Sequence, residues 1–454
     1  MRRNAPPAIV LAALAACGDA SLHGPLTDVA LDTGGDESSG PADSSDDDGS
    51  AGSSDDGSTG ASTGDAAADA GETAATTAPP AVCGDGVVEG DEACDGPARP
   101  CEALGAGYTW GDAPCAADCA YDLAACQTCE APALVPCDGQ SDAVLHALEL
   151  GCPDLAGWTA GNGVPLLART FASADQDAYR VLRRFGSHDL DDDTPAWAPR
   201  AGERMLLLGT GKFGPLDIVD ALLEVPGAAS LGGSNANPEA PGGFELPAPV
   251  KIRMAKGSRS NTPFVDCDGV NDCSHTLNYQ WQPASMAADI AYLDVTIAVP
   301  RGTRGYALDV ALFTAHFPEY THTTHNDMAI VWSQSEAYVG NIAHLVDGEK
   351  ARPLSLPTMD EAGLMTHDGA DDPALLGTGY DDLLGEHGAA TDWLTLHGPA
   401  IPGERLTLAL AVLDLDDENL DSALLVDNFR WRCEACTLGA PAEQAGCGLR
   451  PASR

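Results

Sequence analysis

The chain has 454 residues, a hydrophobic content of 44% and a formal net charge of -46 at pH 7. Its length allows a large folded core, whereas so acidic a balance excludes nucleic acid as a partner, because binding nucleic acid requires a basic face. Its 15 cysteines indicate export to an oxidising compartment, where cysteines pair as disulfides.

The N-terminus has the features of a bacterial export signal. A positive start, Met1-Arg2-Arg3, precedes an apolar run over residues 8–16, which is shorter than the roughly 20 residues of a membrane-spanning helix. Leu14-Ala15-Ala16-Cys17 resembles the bacterial lipobox, in which the signal is cut before the cysteine and that cysteine is acylated. We therefore predict a signal peptide over residues 1–16 and a lipid membrane as partner of acylated Cys17. An ordinary signal peptide is the alternative.

Residues 17–82 read as an acidic spacer rich in Ser, Gly and Asp. Such a composition cannot bury enough apolar surface to offset the entropy of ordering, so we predict a disordered linker. Its expected end-to-end distance is about 45 Å, which would lift the folded part away from a membrane.

Residues 83–128 contain six cysteines and few large apolar side chains, which predicts a small module held by disulfides. A zinc site on Cys115 and Cys119 is the alternative. Cys83-Gly84-Asp85-Gly86 and Cys94-Asp95-Gly96 resemble the hallmark of the myxobacterial cysteine-rich repeat found in surface proteins. Only one copy is present here.

The remaining chain predicts a mainly β fold over residues 129–437, followed by a tail over 438–454. Apolar residues alternate with period two, so that Leu406, Leu408, Leu410 and Val412 share one face of a strand. The pattern favours an antiparallel β-sandwich, similar to a jelly roll, over alternating βαβ units. The predicted strands cover residues 204–209, 250–255, 290–299, 306–314, 327–333, 405–412 and 422–432.

Cysteines also cluster at both ends of this large domain. Three of them, at positions 129, 137 and 152, lie near its start, and three more, at 433, 436 and 447, lie near its end. Because the ends of a sandwich often lie close together, we predict that some of them pair across the termini.

Two stretches, residues 312–343 and 388–431, resemble the choice-of-anchor L domain of bacterial surface proteins. That resemblance implies a cell-surface domain and no catalytic activity, with no ligand specified. His316 stands where the family usually has an acidic residue. The matching residues are Phe317-Pro318-Glu319-Tyr320, Asn326-Asp327, Asp421-Ser422 and Asp427-Asn428-Phe429.

Two acidic loops are candidate calcium sites, because carboxylate oxygens are the ligands that calcium prefers. The first contains Asp414, Asp416, Asp417 and Asp421, and a solvated polar loop is its alternative. The second contains Asp266, Asp268 and Asp272, but it lacks the closing glutamate of a calcium loop. For this second segment we favour a surface turn closed by a Cys267–Cys273 disulfide.

Two further motifs are interpreted as structural. His322 and His325, with His316 nearby, are expected to be exposed loop histidines and not a transition-metal site, because the i, i+3 spacing on a strand points side chains to opposite faces. Gly209-Thr210-Gly211-Lys212-Phe213-Gly214 spells Gly-x-Gly-x-x-Gly. Without βαβ units it is expected to be a strand-ending turn and not a dinucleotide site.

These features together predict a lipid-anchored, non-enzymatic protein of the outer membrane or cell surface. Its sandwich would act in recognition, adhesion or envelope architecture, with calcium as the stabilising ion. A secreted glycoside hydrolase on a jelly roll is the alternative, and it would require two carboxylates about 5 to 9 Å apart flanking a sugar cleft. Calcium-dependent assembly without a soluble ligand is a third possibility.

Overall fold

The structure is a computed structural model. Every described residue lies in one compact unit of the chain, Thr77–Arg454. Among these residues, no helix is both long and apolar enough to cross a membrane. The described residues are 82–130, 136–140, 144–150, 166–172, 178–186, 196–211, 213, 246, 248–250, 287–323, 327–347, 350–369, 371–381, 388–415 and 420–452.

The first described segment is the cysteine-rich module. Its four short strands are β1 (Arg99–Pro100), β2 (Tyr108–Trp110), β3 (Asp112–Ala113) and β4 (Gln127–Thr128). β1 pairs with β3, and β2 pairs with β4. Disulfides join Cys94 to Cys115 and Cys101 to Cys126. The predicted disulfide framework is therefore confirmed, and the zinc alternative is wrong because Cys115 is bonded to Cys94.

The two halves of the repeat hallmark hold each other in place. The Asp95 carboxylate accepts hydrogen bonds from the backbone N–H groups of Gly84, Gly86 and Val87, at 2.5, 2.8 and 2.9 Å. Both glycines have positive φ angles, of 98° and 90°, which a residue with a Cβ rarely adopts. The Cys-Gly-Asp-Gly sequence is thus a turn that wraps around the carboxylate next to Cys94.

The rest of the described chain is an antiparallel β-sandwich, which confirms the predicted mainly β fold. One short helix, α1 (Leu356–Glu361), interrupts the strands. The sandwich strands are β5 (Leu166–Ala172), β6 (Tyr179–Leu182), β7 (Met205–Gly209), β8 (Ala287–Ala298), β9 (Gly305–Thr314), β10 (Met328–Gln334), β11 (Val339–Asn341), β12 (His344–Asp347), β13 (Lys350–Ser355), β14 (Met365–Asp368), β15 (Ala389–Thr391), β16 (Leu394–Pro399), β17 (Arg405–Leu415), β18 (Ser422–Arg432) and β19 (Gly448–Pro451).

The strands form two sheets. The seven-stranded sheet has the order β12-β13-β10-β17-β8-β5, with β11 paired to β10. The eight-stranded sheet has the order β14-β15-β9-β18-β7-β6, with β16 joining β9 to β19. The predicted tail over residues 438–454 is wrong for residues 448–451, which form β19. Leu449 of β19 pairs with Leu396 of β16. Because Leu449 is apolar and is buried in the main core, this segment joins the sheet as an edge strand.

The main core lies between the two sheets. As predicted, Leu406, Leu408, Leu410 and Val412 face it together from β17. The alternate residues of β17 belong to a smaller apolar cluster with Trp332. All ten residues of β9 are buried. The central strands are thus covered on both faces, which explains their nearly continuous apolar sequences.

The cysteine-rich module contacts one end of this sandwich, at the loop between β8 and β9. Thr109 donates a hydrogen bond to the carbonyl of Gly302 at 2.7 Å, and Arg304 pairs with Glu102 at 2.5 Å. The Cys129–Cys433 disulfide closes the same end, across a sequence separation of 304 residues. This bond confirms the predicted pairing across the domain termini.

Candidate metal centre

Four ionisable side chains meet at the opposite end of the sandwich, where central strands of both sheets end or begin. His316 follows β9, and Asp421 directly precedes β18, in the eight-stranded sheet. Asp327 directly precedes β10, and Asp414 lies near the end of β17, in the seven-stranded sheet. The backbone N–H of Ala315 donates to the carbonyl of Asp421 at 3.1 Å. Each sheet therefore contributes two of the four side chains.

Three of these side chains form a tight donor cluster. The ligand atoms of His316, Asp327 and Asp414 all lie within 4.8 Å of one another. Nδ1 of His316 is 3.2 Å from Oδ2 of Asp327, and the ring of Tyr320 contacts the imidazole edge-on with centroids 5.4 Å apart. None of the three residues is more than 1% exposed. The cluster is thus closed off from bulk water.

Asp327 is the most informative member of the cluster. Neither of its carboxylate oxygens has a hydrogen-bond partner within the described part of the chain, although both are buried. Its approach to His316 is therefore a close electrostatic contact without hydrogen-bond geometry. A buried carboxylate is costly unless another group compensates for its lost hydration.

Asp421 lies beside this cluster as a fourth carboxyl group. Burial and the negative charge of Asp327 raise the pKa of Asp421 to about 7, and His316 opposes this shift. Burial, followed by the charges of Asp421 and Asp327, also raises the pKa of Tyr380 well above its usual value. Tyr380 therefore places a neutral phenol near an excess of carboxylates.

The glycine-rich turn after β7 makes room for Asp421. A Cβ on Gly211 would lie 1.9 Å from Oδ2 of Asp421, so any larger residue would displace the carboxylate. β7 ends at Gly209, as the strand-ending interpretation of the Gly-x-Gly-x-x-Gly motif predicts. Lys212 and Gly214 of that motif lie outside the described residues.

The donor set combines one imidazole with carboxylates. Imidazole suits zinc, copper, iron and nickel, whereas carboxylates also suit magnesium, calcium and manganese. Calcium sites are normally built from oxygen ligands alone. A cluster that includes His316 therefore differs in chemistry from the predicted all-oxygen calcium loop.

The predicted calcium ligands have different outcomes. Asp414 and Asp421 are brought to the same end of the sandwich, and both are buried, not solvated. Asp416 and Asp417 lie outside the described residues, as do Asp266, Asp268 and Asp272 with the predicted Cys267–Cys273 bond. Cys17, the predicted lipidation site, also lies outside them. The calcium site at those aspartates remains a prediction.

The interpretation of the histidines is corrected in one respect. His322 is exposed, as expected, and His325 lies outside the described residues. His316 was expected to be an exposed loop histidine, but it is completely buried. The reason is that the turn after β9 folds back, with the N–H of Tyr320 donating to the His316 carbonyl at 3.0 Å.

The remaining family-motif residues separate into two groups. Pro318 and Glu319 are exposed in the turn next to the cluster, and Asn326 lies outside the described residues. Asp427 and Asn428 lie at a β-bulge of β18 and do not reach the cluster. Asn428 adopts a φ of 58°, a conformation that Asn tolerates better than most residues. This pair therefore has a structural role.

That role is to hold a buried polar network together. Asp309 accepts hydrogen bonds from Asn428 at 2.7 Å, Thr395 at 2.7 Å and Arg430 at 3.0 Å. The Asp427 carboxylate accepts a bond from the backbone N–H of Ala201 at 3.2 Å. Burial, opposed by hydrogen bonds but reinforced by Asp309, raises the pKa of Asp427 to about 7.

Glu149 is a further buried acid beside this network. Burial is the main cause that raises its pKa to about 9, and the charges of Asp427 and Asp138 add to the shift. The side chain is therefore protonated at neutral pH, which removes the cost of a buried charge. Sequence reasoning missed this residue because a single Glu at the end of a short apolar segment gives no local signal.

Comparison of the chain with protein-family models, with curated proteins and with solved structures gives no match. The resemblances to the choice-of-anchor L domain and to the cysteine-rich repeat therefore remain predictions.

Proposed function

We propose that this chain is an exported lipoprotein, anchored through Cys17, that presents a non-enzymatic β-sandwich for recognition, adhesion or envelope architecture at the cell surface. In this proposal the acidic segment up to residue 82 is a spacer, and the module is a rigid base. Calcium is the proposed stabilising ion of the remaining loop carboxylates, Asp416 and Asp417 of the first acidic loop and Asp266, Asp268 and Asp272 of the second. The resemblance to the choice-of-anchor L domain supports the same function.

The observation that carries the proposal is that the two ends of the sandwich differ. The module that follows the spacer contacts the end where β9 begins and β18 ends. The His316 cluster and the turn of Pro318 and Glu319 lie at the other end. β18 has 11 residues, so the two ends are separated by about 35 Å. The N-terminal attachment therefore enters at the module end, and the cluster end is the end of the sandwich farther from the point of attachment.

The disulfides provide further support. Four have both of their cysteines among the described residues, and one of them closes almost the whole large domain. Cys137 is disulfide-bonded as well. Disulfides persist in oxidising compartments outside the cytosol. Their number is consistent with a protein that must keep its fold without chaperones or cellular reductants.

The anchor is tested by expressing the full chain in a lipoprotein-processing bacterium. We expect the wild type in the membrane fraction, with an acylated Cys17 as the first residue in mass spectrometry. Cys17→Ser should lose both properties. Cys83→Ser is the control, because it removes a cysteine outside the described disulfides and should remain membrane-bound. An unacylated wild type would refute the anchor.

Surface presentation is tested separately on intact cells. Added protease should remove the sandwich from the wild type while a periplasmic marker stays intact. Binding to glycan and envelope preparations, measured with and without a chelator, would then identify the ligand class. Turnover of a polysaccharide that is lost on a single carboxylate-to-amide change would instead support the glycoside hydrolase alternative.

A further inference from the structure

The buried cluster at the end of the sandwich shares Asp414 and Asp421 with the first predicted calcium loop, but the imidazole of His316 gives it a different chemistry. It combines an imidazole with two carboxylates from three separate strand ends, and these belong to both sheets. We propose that His316, Asp327 and Asp414 bind one divalent transition-metal ion, with zinc as the representative, and that Asp421 is the neighbouring fourth donor. The ion would link the two sheets at this end.

Two independent observations support a bound ion. The ligand atoms of the three residues lie within 4.8 Å of one another, so they could converge on one ion with small side-chain rotations, given zinc–ligand distances of about 2.0–2.2 Å. Separately, neither carboxylate oxygen of buried Asp327 has a hydrogen-bond partner among the residues that the structure describes. An ion would satisfy these oxygens.

A divalent ion would bring more positive charge to the cluster than a salt bridge does. A protonated His316 contributes one positive charge beside Asp327, whereas a divalent ion contributes two and uses a neutral imidazole as a ligand. The imidazole also decides the type of ion, because it favours zinc and related metals over calcium.

The surroundings of the cluster fit a structural site. The Tyr320 ring packs against the imidazole, and Gly211 leaves the space that the Asp421 carboxylate occupies. The three donors are buried and Asp421 lies beside them, so the surroundings are closed as in structural zinc sites. The proposal does not depend on the proposed surface function, since such an ion would stabilise the sandwich wherever the chain is located.

The test is titration calorimetry on the full chain after removal of metals with a chelator. Zinc should bind to the wild type at one tight site, and calcium should not displace it. His316→Gln and Asp327→Asn should each weaken tight zinc binding by more than the roughly 10- to 100-fold typical of losing an outer-shell partner. His397→Gln is the matched control, because His397 is also buried but lies in β16, outside the cluster.

A second measurement covers variants that fail to fold. X-ray absorption of zinc-loaded wild type should show one imidazole and oxygen ligands, with no sulfur. Three results would overturn the proposal: no tight zinc site in the wild type, equal zinc binding by His316→Gln and the wild type, or sulfur in the coordination shell. Tight calcium binding that displaces zinc would overturn the choice of ion. Loss of the site with retained surface anchoring would leave the proposed function intact.

Discussion

Removal of the Cys129–Cys433 disulfide is expected to cause the largest stability loss of any single cross-link described here. The bond closes a loop with a sequence separation of 304 residues, whereas Cys436–Cys447 closes one of 11. A cross-link restricts the unfolded chain more strongly when the loop is longer. The chain-entropy relation gives about 6 kcal/mol for the long loop and about 3 kcal/mol for the short one.

The prediction is tested by comparing the stability losses that follow removal of these two disulfides. Each pair is replaced by serine in a separate double variant, so that the chemistry of the change is the same. The free energy of unfolding is then measured by urea denaturation under non-reducing conditions. The loss for Cys129/Cys433 should exceed that for Cys436/Cys447 by about 3 kcal/mol, and the urea m-value should rise because the unfolded chain expands.

Equal losses for the two variants would refute the reasoning, as would a smaller loss for the long loop. Either result would mean that the termini are held together mainly by contacts in the folded state. The hydrogen bonds between the module and the β8–β9 loop would then be the first candidates.

Three further predictions concern a buried acid, a buried glycine and a pair of partly exposed thiols. Burial raises the pKa of Glu149 in the folded state to about 9. Its contribution to the free energy of unfolding should therefore be complete below about pH 4.5 and should fall, by up to about 1.4 kcal/mol per pH unit, as the pH rises towards 9. Urea unfolding at a series of pH values should show that Glu149→Gln abolishes this dependence. Gly211→Ala should cost about 1–3 kcal/mol in thermal unfolding, because the new Cβ would overlap the Asp421 carboxylate. Cys83 and Cys119 are thiols whose side chains contact each other, so we expect a third module disulfide in oxidised protein, detected by alkylation and mass spectrometry before and after reduction.

Each of these has a control. Glu434→Gln changes an exposed acid and should leave the pH dependence as in the wild type. A Cβ on Gly139 would meet only the end of the exposed Glu203 side chain, so Gly139→Ala should be tolerated. Unchanged pH dependence in Glu149→Gln, equal costs for the two glycine variants, or full alkylation of unreduced Cys83 and Cys119 would contradict the respective prediction.

Six of the fifteen described sandwich strands, β7 to β10, β17 and β18, could be predicted because their signal is local, and the other nine were not predicted. Alternation of apolar residues decides which face of a strand is buried, and β18 covers the predicted residues 422–432. β8, β9, β10 and β17 differ from the predicted ranges by up to three residues at either end. The predicted strand over residues 250–255 lies outside the described residues apart from Val250. Edge strand β19 was missed because it has four residues, too few for a period to show.

The candidate site could be predicted only in part because it depends on long-range pairing. Asp414 and Asp421 flank one loop, so their proximity is local. His316 and Asp327 join them only through the pairing of β9 with β18 and of β10 with β17. The sequence nevertheless contains a useful signal, because an ionisable residue lies at one end of each of the central strands β9, β10, β17 and β18. The antiparallel order of these strands brings those ends together. Recognising it requires the strand order, which apolar alternation does not specify.

The most direct test of the central claim is anomalous diffraction at the zinc edge from crystals of the full chain grown with zinc. The account predicts one strong peak between the two sheets, within about 2.2 Å of donor atoms of His316, Asp327 and Asp414. It also predicts that this peak is missing in Asp327→Asn crystals grown in the same way. Wild-type crystals with no anomalous peak at this cluster, or with calcium there instead, would contradict it.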